Sequence, residues 1–234
     1  EVLALAQSLA GPALTGFELF SDLCLQLVER HFPPHRSPLV ERAPFYTLLQ
    51  VSDHASDAHA ATLLQDIAGQ AMDRALATDA VLAQSVAQAR GLWALRELIS
   101  EAQASEGKNV KHDISVPISA IGRFVHETDT ALVRHMPGVR MVTFGHLGDG
   151  NLHYNVSPPA GLAEGDFLAQ QPAIYRLVHD QVMRYGGSIS AEHGIGQLKR
   201  EENRRYKAPV ELALMRSIKD AIDPLGIMNP GKVV

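Results

Sequence analysis

The chain has 234 residues, 46% of them hydrophobic, and a formal net charge of −5. This length is enough for one substantial core, since domains of this size bury roughly 70% of the surface of the unfolded chain. The negative charge argues against binding to nucleic acid or to an anionic membrane surface, both of which call for a basic protein face. No apolar stretch approaches the roughly 20 residues that a membrane-spanning helix needs.

Cys24 is the only cysteine, so no disulfide can form within the chain. It lies in the apolar run 20–28, which predicts a buried, reduced thiol and a cytoplasmic setting. The sequence starts at Glu1 without a methionine or a leader-like segment, and this start predicts a fragment of a longer protein.

In the first half of the chain, aromatic and branched residues predict strands over Gly16–Ser21 and Phe45–Ser52. Apolar residues recur every three or four positions between Ala60 and Ala104, which predicts two or three helices. The second half alternates between the two patterns. Its predicted strands are Val110–Pro117, Arg140–Leu147, Leu152–Val156 and Ser188–Glu192, and its predicted helices are Ile118–Met136, Phe167–Arg184 and Pro209–Ile222. This order predicts an α+β fold, a mainly antiparallel sheet with helices packed on it in ferredoxin-like repeats.

The segment 144–154, Phe-Gly-His-Leu-Gly-Asp-Gly-Asn-Leu-His-Tyr, has the pattern of a β-hairpin. Asp149 and Gly150 are typical of the two central residues of a type I′ turn. A turn at that dipeptide would pair His146 with His153 across the hairpin, with their Cβ atoms about 5 Å apart on one face. Two imidazoles in that position could bind one metal ion.

Glu192 is the best candidate for a third ligand, because it is a lone carboxylate at the end of an apolar strand, where burial requires a partner. The glycines at 194 and 196 allow a sharp turn that would keep His193 near the same cavity. Two histidines and one carboxylate leave coordination positions open, which is typical of a catalytic metal site.

Each of these residues also has an ordinary structural interpretation. His146 and His153 could be half-buried sheet histidines, and Glu192 and His193 could form a turn bonded to the backbone. On the same reasoning Arg96 is a solvated helix residue, Lys111 is a charge on an edge strand, and the remaining histidines, including His31 and His179, lie at the surface.

Three segments carry a resemblance to a known family: Gly145–His153 (GHLGDGNLH), Ser190–Gly196 (SAEHGIG) and Asp223–Lys232 (DPLGIMNPGK). With the early segment Leu14–Phe20, they make the sequence similar to the C-terminal domain of FAD-linked oxidases over nearly its whole length. That family includes D-lactate dehydrogenases, bacterial glycolate oxidase subunits and D-2-hydroxyglutarate dehydrogenases.

The resemblance implies a divalent metal, zinc or manganese, bound by His146, His153 and Glu192, with His193 as the general base. It implies that a metal polarises the hydroxyl of a 2-hydroxyacid, that His193 removes the hydroxyl proton, and that the α-hydrogen leaves as hydride to the flavin. The product is a 2-oxoacid.

The resemblance also implies a substrate pocket lined by Arg96, Ser100, Lys111 and Asn155. Arg96 offers a bidentate fork for a carboxylate, and Lys111 a second positive charge that favours a diacid such as 2-hydroxyglutarate. If Lys111 points away from the pocket, lactate or glycolate is the alternative substrate.

In this family an N-terminal domain grips the FAD through a glycine-rich pyrophosphate loop, and residues 1–234 contain nothing similar. We therefore expect 1–234 to be the substrate-binding (cap) and metal-binding domain, inactive without an FAD-binding domain that lies outside it. Asn229 and Lys232 are the candidates for contact with the flavin. A further expected partner is an electron acceptor of unspecified identity, which could place the protein at the periphery of a membrane. A homodimer is also allowed.

Two functions from other classes stay open at this stage. His146, His153, Glu192 and His193 could activate water in a stand-alone metal hydrolase. The chain could also be a non-enzymatic module that keeps the fold and binds a partner.

Overall fold

The computed structural model describes residues 1–234. Five strands form a single sheet, and ten helices surround it. The strands are β1 Leu14–Ser21, β2 Phe45–Val51, β3 Asp113–Ser115, β4 Arg140–His146 and β5 Asn151–Ser157. The helices are α1 Val2–Ala10, α2 Asp22–His31, α3 Asp57–Asp73, α4 Val86–Glu97, α5 Ile99–Ala104, α6 Ile121–His135, α7 Glu164–Ala169, α8 Gln171–Arg184, α9 Arg200–Tyr206 and α10 Pro209–Ile222.

The strands run in the order β2-β1-β4-β5-β3, and every neighbouring pair is antiparallel. The predicted α+β class with an antiparallel sheet is confirmed. None of the helices combines the length and the apolar character required to cross a bilayer.

The two faces of the sheet are covered by different helices. Leu152, Tyr154 and Val156 point from β5 into a core shared with α6 and α8. Val142 and Phe144 point from β4 to the opposite face, where they pack with α2 and α5. Because side chains alternate along a strand, Asn151, His153 and Asn155 of β5 lie on this second face. The polar positions of β5 are thereby collected on one side of the sheet.

Helix α2 was missed by the sequence analysis because its apolar residues continue the run that begins in β1. Cys24 of α2 is fully buried, as the run predicts. Burial raises the pKa of its thiol to about 11, so that the group stays protonated and inert at neutral pH.

The prediction of a sixth strand over Ser188–Glu192 is wrong. Only Ser188 forms a bridge, to Ser115 at the end of β3. Farther along, the backbone N–H groups of Ala191, Glu192 and His193 donate to the carboxylate of Asp113 and not to a neighbouring strand. The side chain of Asp113 thus accepts the backbone N–H groups that would otherwise have bonded to a neighbouring strand.

Candidate metal and substrate site

The β4–β5 hairpin carries two of the predicted ligands, but its turn differs from the prediction. Phe144 pairs with His153, so His146 lies two residues farther along β4 on the same face. The connection is a four-residue loop between His146 and Asn151. Gly150 alone has a positive φ, of 81°, and Asp149 accepts the N–H of Asn151. The type I′ turn and the direct pairing of the two histidines are therefore wrong, and the imidazoles are diagonal neighbours.

Glycine is required at 145 and 150 because backbone approaches them closely. A Cβ at Gly145 would lie 2.2 Å from the carbonyl oxygen of Asn151, and one at Gly150 would lie 2.3 Å from that of Val116. Both contacts are far shorter than van der Waals separation, so the loop in this motif can only close with glycine at these positions.

A carboxylate faces each ring nitrogen of His146. Its Nδ1 lies 2.5 Å from Oε1 of Glu18, and its Nε2 lies 3.4 Å from Oε1 of Glu192. The second distance is long for a hydrogen bond between these groups. It matches the roughly 3.4 Å that separates two donors each about 2.0–2.1 Å from a tetrahedral zinc ion. The His146–Glu192 spacing therefore fits a shared cation.

Glu192 and His153 complete the predicted donor set. Glu192 accepts a hydrogen bond from the side-chain amide of Asn151 at 2.5 Å, and its side chain is 44% exposed. Burial lowers the pKa of His153, against the opposing charge of Glu192. A neutral imidazole has a lone pair available for a metal.

Asp113, which the sequence analysis missed, controls where Glu192 and His193 point. It is buried at 3% exposure on β3 and accepts the backbone N–H groups of residues 191–193 at 2.8–3.1 Å. Burial acts to raise the pKa of Asp113, but the hydrogen bonds from His193 and Glu192 outweigh it and the pKa is lowered. The carboxylate is thus charged and anchors this loop beside β5.

His193 projects from the anchored loop with its side chain 64% exposed. Its Nδ1 lies 3.9 Å from Oδ2 of Asp113, and its ring centroid lies 5.6 Å from that of His153. Ligand atoms of Asp113, His153 and His193 lie within 4.8 Å of one another. This is the one set of three converging donors that the structure shows. His146, His153 and Glu192 are not all brought within that distance of one another, although His146 and Glu192 approach to 3.4 Å.

A cleft of about 670 Å³ joins most of the predicted residues. Six of them line it: Ser100, Lys111, His153, Asn155, Glu192 and His193. His146 and Arg96 do not line the cleft and lie beside it, both bonded to Glu18.

Arg96 is buried at 9% exposure, so its interpretation as a solvated helix residue is wrong. Its Nε donates to Oε2 of Glu18 at 2.8 Å, and its guanidinium lies 4.8 Å from the centre of the Phe144 ring, which lines the cleft. Neither terminal nitrogen of Arg96 donates to a protein acceptor. Asn155 accepts the N–H of His112 and donates to Gln103, so its amide is fixed in orientation.

The far end of the cleft contains two histidines that the sequence analysis did not single out for the site. His179 was expected at the surface, and that prediction is wrong because it is only 1% exposed. It and His112 are oriented through Nδ1, by Glu202 and by the carbonyl of Tyr154 respectively. Their Nε2 atoms are buried without a partner. Burial lowers the pKa of His112 to about 3, so this end of the cleft presents neutral imidazoles.

Asn229 and Lys232 lie in the segment after α10, and Lys232 contacts the lining of the cleft. Lys232 donates to the side chain of Gln197, and the N–H of Val233 donates to the carbonyl of Gly196. Gln197 and Gly196 both line the cleft. Asn229 is exposed, with a φ of 49°.

Comparison with known proteins gives a match over residues 2–233 to the family described as FAD linked oxidases, C-terminal domain. The chain belongs to this family. It is 37% identical to D-2-hydroxyglutarate dehydrogenase of Stutzerimonas stutzeri, over 94% of the chain and 47% of that protein. It is 39% identical to D-2-hydroxyglutarate dehydrogenase of Xanthomonas citri, over 94% of the chain and 46% of that protein. It is 35% identical to the mitochondrial D-2-hydroxyglutarate dehydrogenase of Danio rerio, over 100% of the chain and 42% of that protein. This FAD-linked oxidase domain thus spans less than half the length of each of these relatives.

Proposed function

We propose that the chain is the metal-binding and substrate-binding domain of an FAD-linked 2-hydroxyacid dehydrogenase, with 2-hydroxyglutarate as its substrate. The observation that carries the proposal is the 3.4 Å approach of His146 to Glu192 at the edge of a cleft that His153, Glu192 and Lys111 line, with Arg96 packed beside it on Phe144. A carboxylate with a neighbouring hydroxyl needs both features, a cation for the carboxylate and a group that acidifies the hydroxyl.

The spacing of His146 and Glu192 fits a divalent cation such as zinc or manganese, and His153 lies on the same face of the hairpin as His146. His146 is oriented through Nδ1 by a carboxylate, which is the usual second-shell arrangement of a metal-binding histidine. When bound, such a cation lowers the pKa of a coordinated hydroxyl.

Glu192 is a better third ligand than Asp113. The carboxylate of Asp113 already accepts three backbone N–H groups, which use much of its capacity as an acceptor. Glu192 accepts from one protein donor at hydrogen-bonding distance and is exposed to the cleft. This choice leaves His193 outside the coordination shell.

His193 then serves as the base that takes the proton of the substrate hydroxyl. Its Nδ1 lies 3.9 Å from the carboxylate of Asp113, and the ring is open to the cleft. The two unbonded terminal nitrogens of Arg96 match the two oxygens of a carboxylate. Lys111 is exposed at the cleft wall, where it can meet the second carboxylate of a diacid.

The chain by itself does not provide the dinucleotide site of a doubly wound fold. All its strand pairs are antiparallel, so the sheet lacks the crevice between parallel strands at which a dinucleotide binds in doubly wound folds. We propose that a separate FAD-binding domain supplies the flavin, with Asn229 and Lys232 as contacts. The exposed apolar stripe of α10, formed by Val210, Leu214, Ile218 and Ile222, supports a further protein surface against this domain.

The test uses the full-length flavoprotein, mixed without oxygen with D-2-hydroxyglutarate or with D-lactate, and follows loss of the absorbance of oxidised flavin. We expect faster flavin reduction by 2-hydroxyglutarate. Lys111→Ala should lower kcat/KM for the diacid roughly 10–100-fold, the value of a hydrogen bond to a charged group, with little change for lactate. Lys108→Ala is the matched control, because Lys108 is an exposed lysine that does not line the cleft.

Two results would contradict the proposal. If neither acid reduces the flavin, the chain does not serve a 2-hydroxyacid dehydrogenase. If lactate is the better substrate and Lys111→Ala has no effect, the choice of a diacid is wrong while the reaction class stands.

A further inference from the structure

Glu18 is a buried carboxylate that lies behind the candidate site. It is 4% exposed, in the middle of β1, directly opposite His146 on the neighbouring strand β4. Its Oε1 lies 2.5 Å from Nδ1 of His146, and its Oε2 lies 2.8 Å from Nε of Arg96. One carboxylate thus contacts both a proposed metal ligand and the proposed carboxylate-binding arginine.

A buried charge is costly unless each of its oxygens has a good partner. Glu18 divides its two oxygens between residues that come from different elements, β4 and α4. A purely structural ion pair with Arg96 would not require the histidine, and a histidine anchor would not require the arginine. The shared carboxylate fixes the two side chains relative to each other.

We propose that Glu18 is a positioning residue, which fixes the proposed metal ligand His146 and the proposed substrate-binding Arg96 relative to each other. This inference rests on the proposed function. Glu18 accepts the Nδ1–H of His146, which leaves the lone pair of Nε2 facing Glu192 and the cation. It also takes the Nε–H of Arg96, which turns the two terminal nitrogens away from Glu18 and frees them for a substrate carboxylate.

Glu18→Gln separates these roles with little change in size. An amide has one acceptor oxygen and one NH2 donor, so it can accept from either His146 or Arg96, but the other partner then faces a donor. Substitution of such outer partners of metal-bound histidines typically lowers metal affinity about 10–100-fold.

Glu106 provides a matched control. Its carboxylate also bonds one histidine and two arginines: Oε1 contacts His31 at 2.7 Å and Arg30 at 2.9 Å, and Oε2 contacts Arg140 at 3.0 Å. Arg140 begins β4 and His146 ends it, so the two networks lie at opposite ends of the same strand. Glu106→Gln removes an equivalent charged acceptor without touching the site.

The experiment measures the zinc affinity of the chain by competition with a coloured chelator, for wild type, Glu18→Gln, Glu106→Gln and His146→Ala. We expect Glu18→Gln to weaken zinc binding about 10–100-fold, Glu106→Gln to leave it unchanged and His146→Ala to abolish tight binding. In the full-length flavoprotein saturated with zinc, Glu18→Gln should raise KM for the 2-hydroxyacid more than it lowers kcat, since Arg96 loses its orientation.

A second measurement needs no variant and therefore does not depend on Glu18→Gln folding. Nitrogen-15 NMR of the metal-free wild-type chain should show His146 with its proton on Nδ1. A proton on Nε2 instead would overturn the proposal.

The failures of the two proposals are distinguishable. If Glu18→Gln binds zinc as wild type does while His146→Ala does not, the positioning role is wrong and the metal site stands. If the wild type does not bind zinc, or if His146→Ala, His153→Ala and Glu192→Gln all bind it normally, the metal site is wrong and the role of Glu18 falls with it.

Discussion

Single carboxylates determine the geometry of this site more than the histidines do. Asp113 draws three successive backbone N–H groups onto one side chain, and the two residues that follow Ala191 are thereby turned toward the hairpin. Glu18 binds two side chains in a similar way, the ring of His146 and the guanidinium of Arg96. Glu192, His193 and His146, the proposed site side chains, can be exposed because buried carboxylates hold the backbone of the first two and the ring of the third.

Glu106 is a carboxylate remote from the site, and it makes the stability of the fold depend on pH. The hydrogen bond from His31, followed by those from Arg140 and Arg30, lowers the pKa of Glu106 to about 2, against the opposing effect of burial. A carboxyl group whose pKa is lowered in the folded state stabilises the fold fully at pH values above 4.5, the ordinary pKa of the group. That stabilisation is lost as the pH falls from 4.5 toward 2.

We therefore expect Glu106→Gln to lower the free energy of unfolding by about 1–3 kcal/mol at pH 7 and to have a shrinking effect as the pH falls below 4.5. Urea unfolding at a series of pH values measures this difference. Glu101→Gln, at an exposed glutamate with no ion pair, should have little effect at any pH. A penalty for Glu106→Gln that stays constant down to pH 2 would contradict the account.

At the scale of elements, the β4–β5 hairpin is the part on which the site depends. It carries His146 and His153, and its loop is closed by backbone contacts that exclude a Cβ at Gly145. Gly148 lies in the same motif, but a Cβ there would meet nothing within 4 Å, and its φ is not positive.

Gly145→Ala should therefore lower the free energy of unfolding by about 1–3 kcal/mol or more, because the hairpin has to shift to admit the methyl group. Gly148→Ala should change it by less than about 0.5 kcal/mol, as is usual for exposed positions. Equilibrium unfolding in urea compares the two directly. Equal stability of the two variants would show that the hairpin does not close as described.

Local pattern predicted the elements of this hairpin but not its contacts. Alternation of polar and apolar residues located β4 and β5, since it depends only on neighbours in the sequence. The loop length was wrong because Asp149 caps the N–H of Asn151 with its side chain and does not occupy a left-handed turn position.

The roles of Asp113 and Glu18 could not be predicted from the sequence at all. Their partners lie up to 80 and 128 residues away along the chain. Nothing local distinguishes Glu18 from any other acidic residue in a strand, and only the pairing of β1 with β4 brings it to His146.

For the molecule as a whole, the fold gathers most of the proposed site residues around one cleft beside a single antiparallel sheet. The cleft is lined by the proposed ligands His153 and Glu192, the proposed base His193 and the cationic side chain of Lys111. The relatives are more than twice as long as the matched region, and α10 has no buried residue. Both observations support a second domain in the active protein.

In the proposed site, His146, His153 and Glu192 share one divalent cation and His193 does not bind it. Zinc titration of the chain and its variants measures which of these side chains the ion needs. We predict one equivalent of tightly bound zinc in wild type and in His193→Ala, and loss of tight binding in His146→Ala, His153→Ala and Glu192→Gln. Loss of zinc in His193→Ala with retention in His146→Ala would place the ion at Asp113, His153 and His193 and would contradict the account.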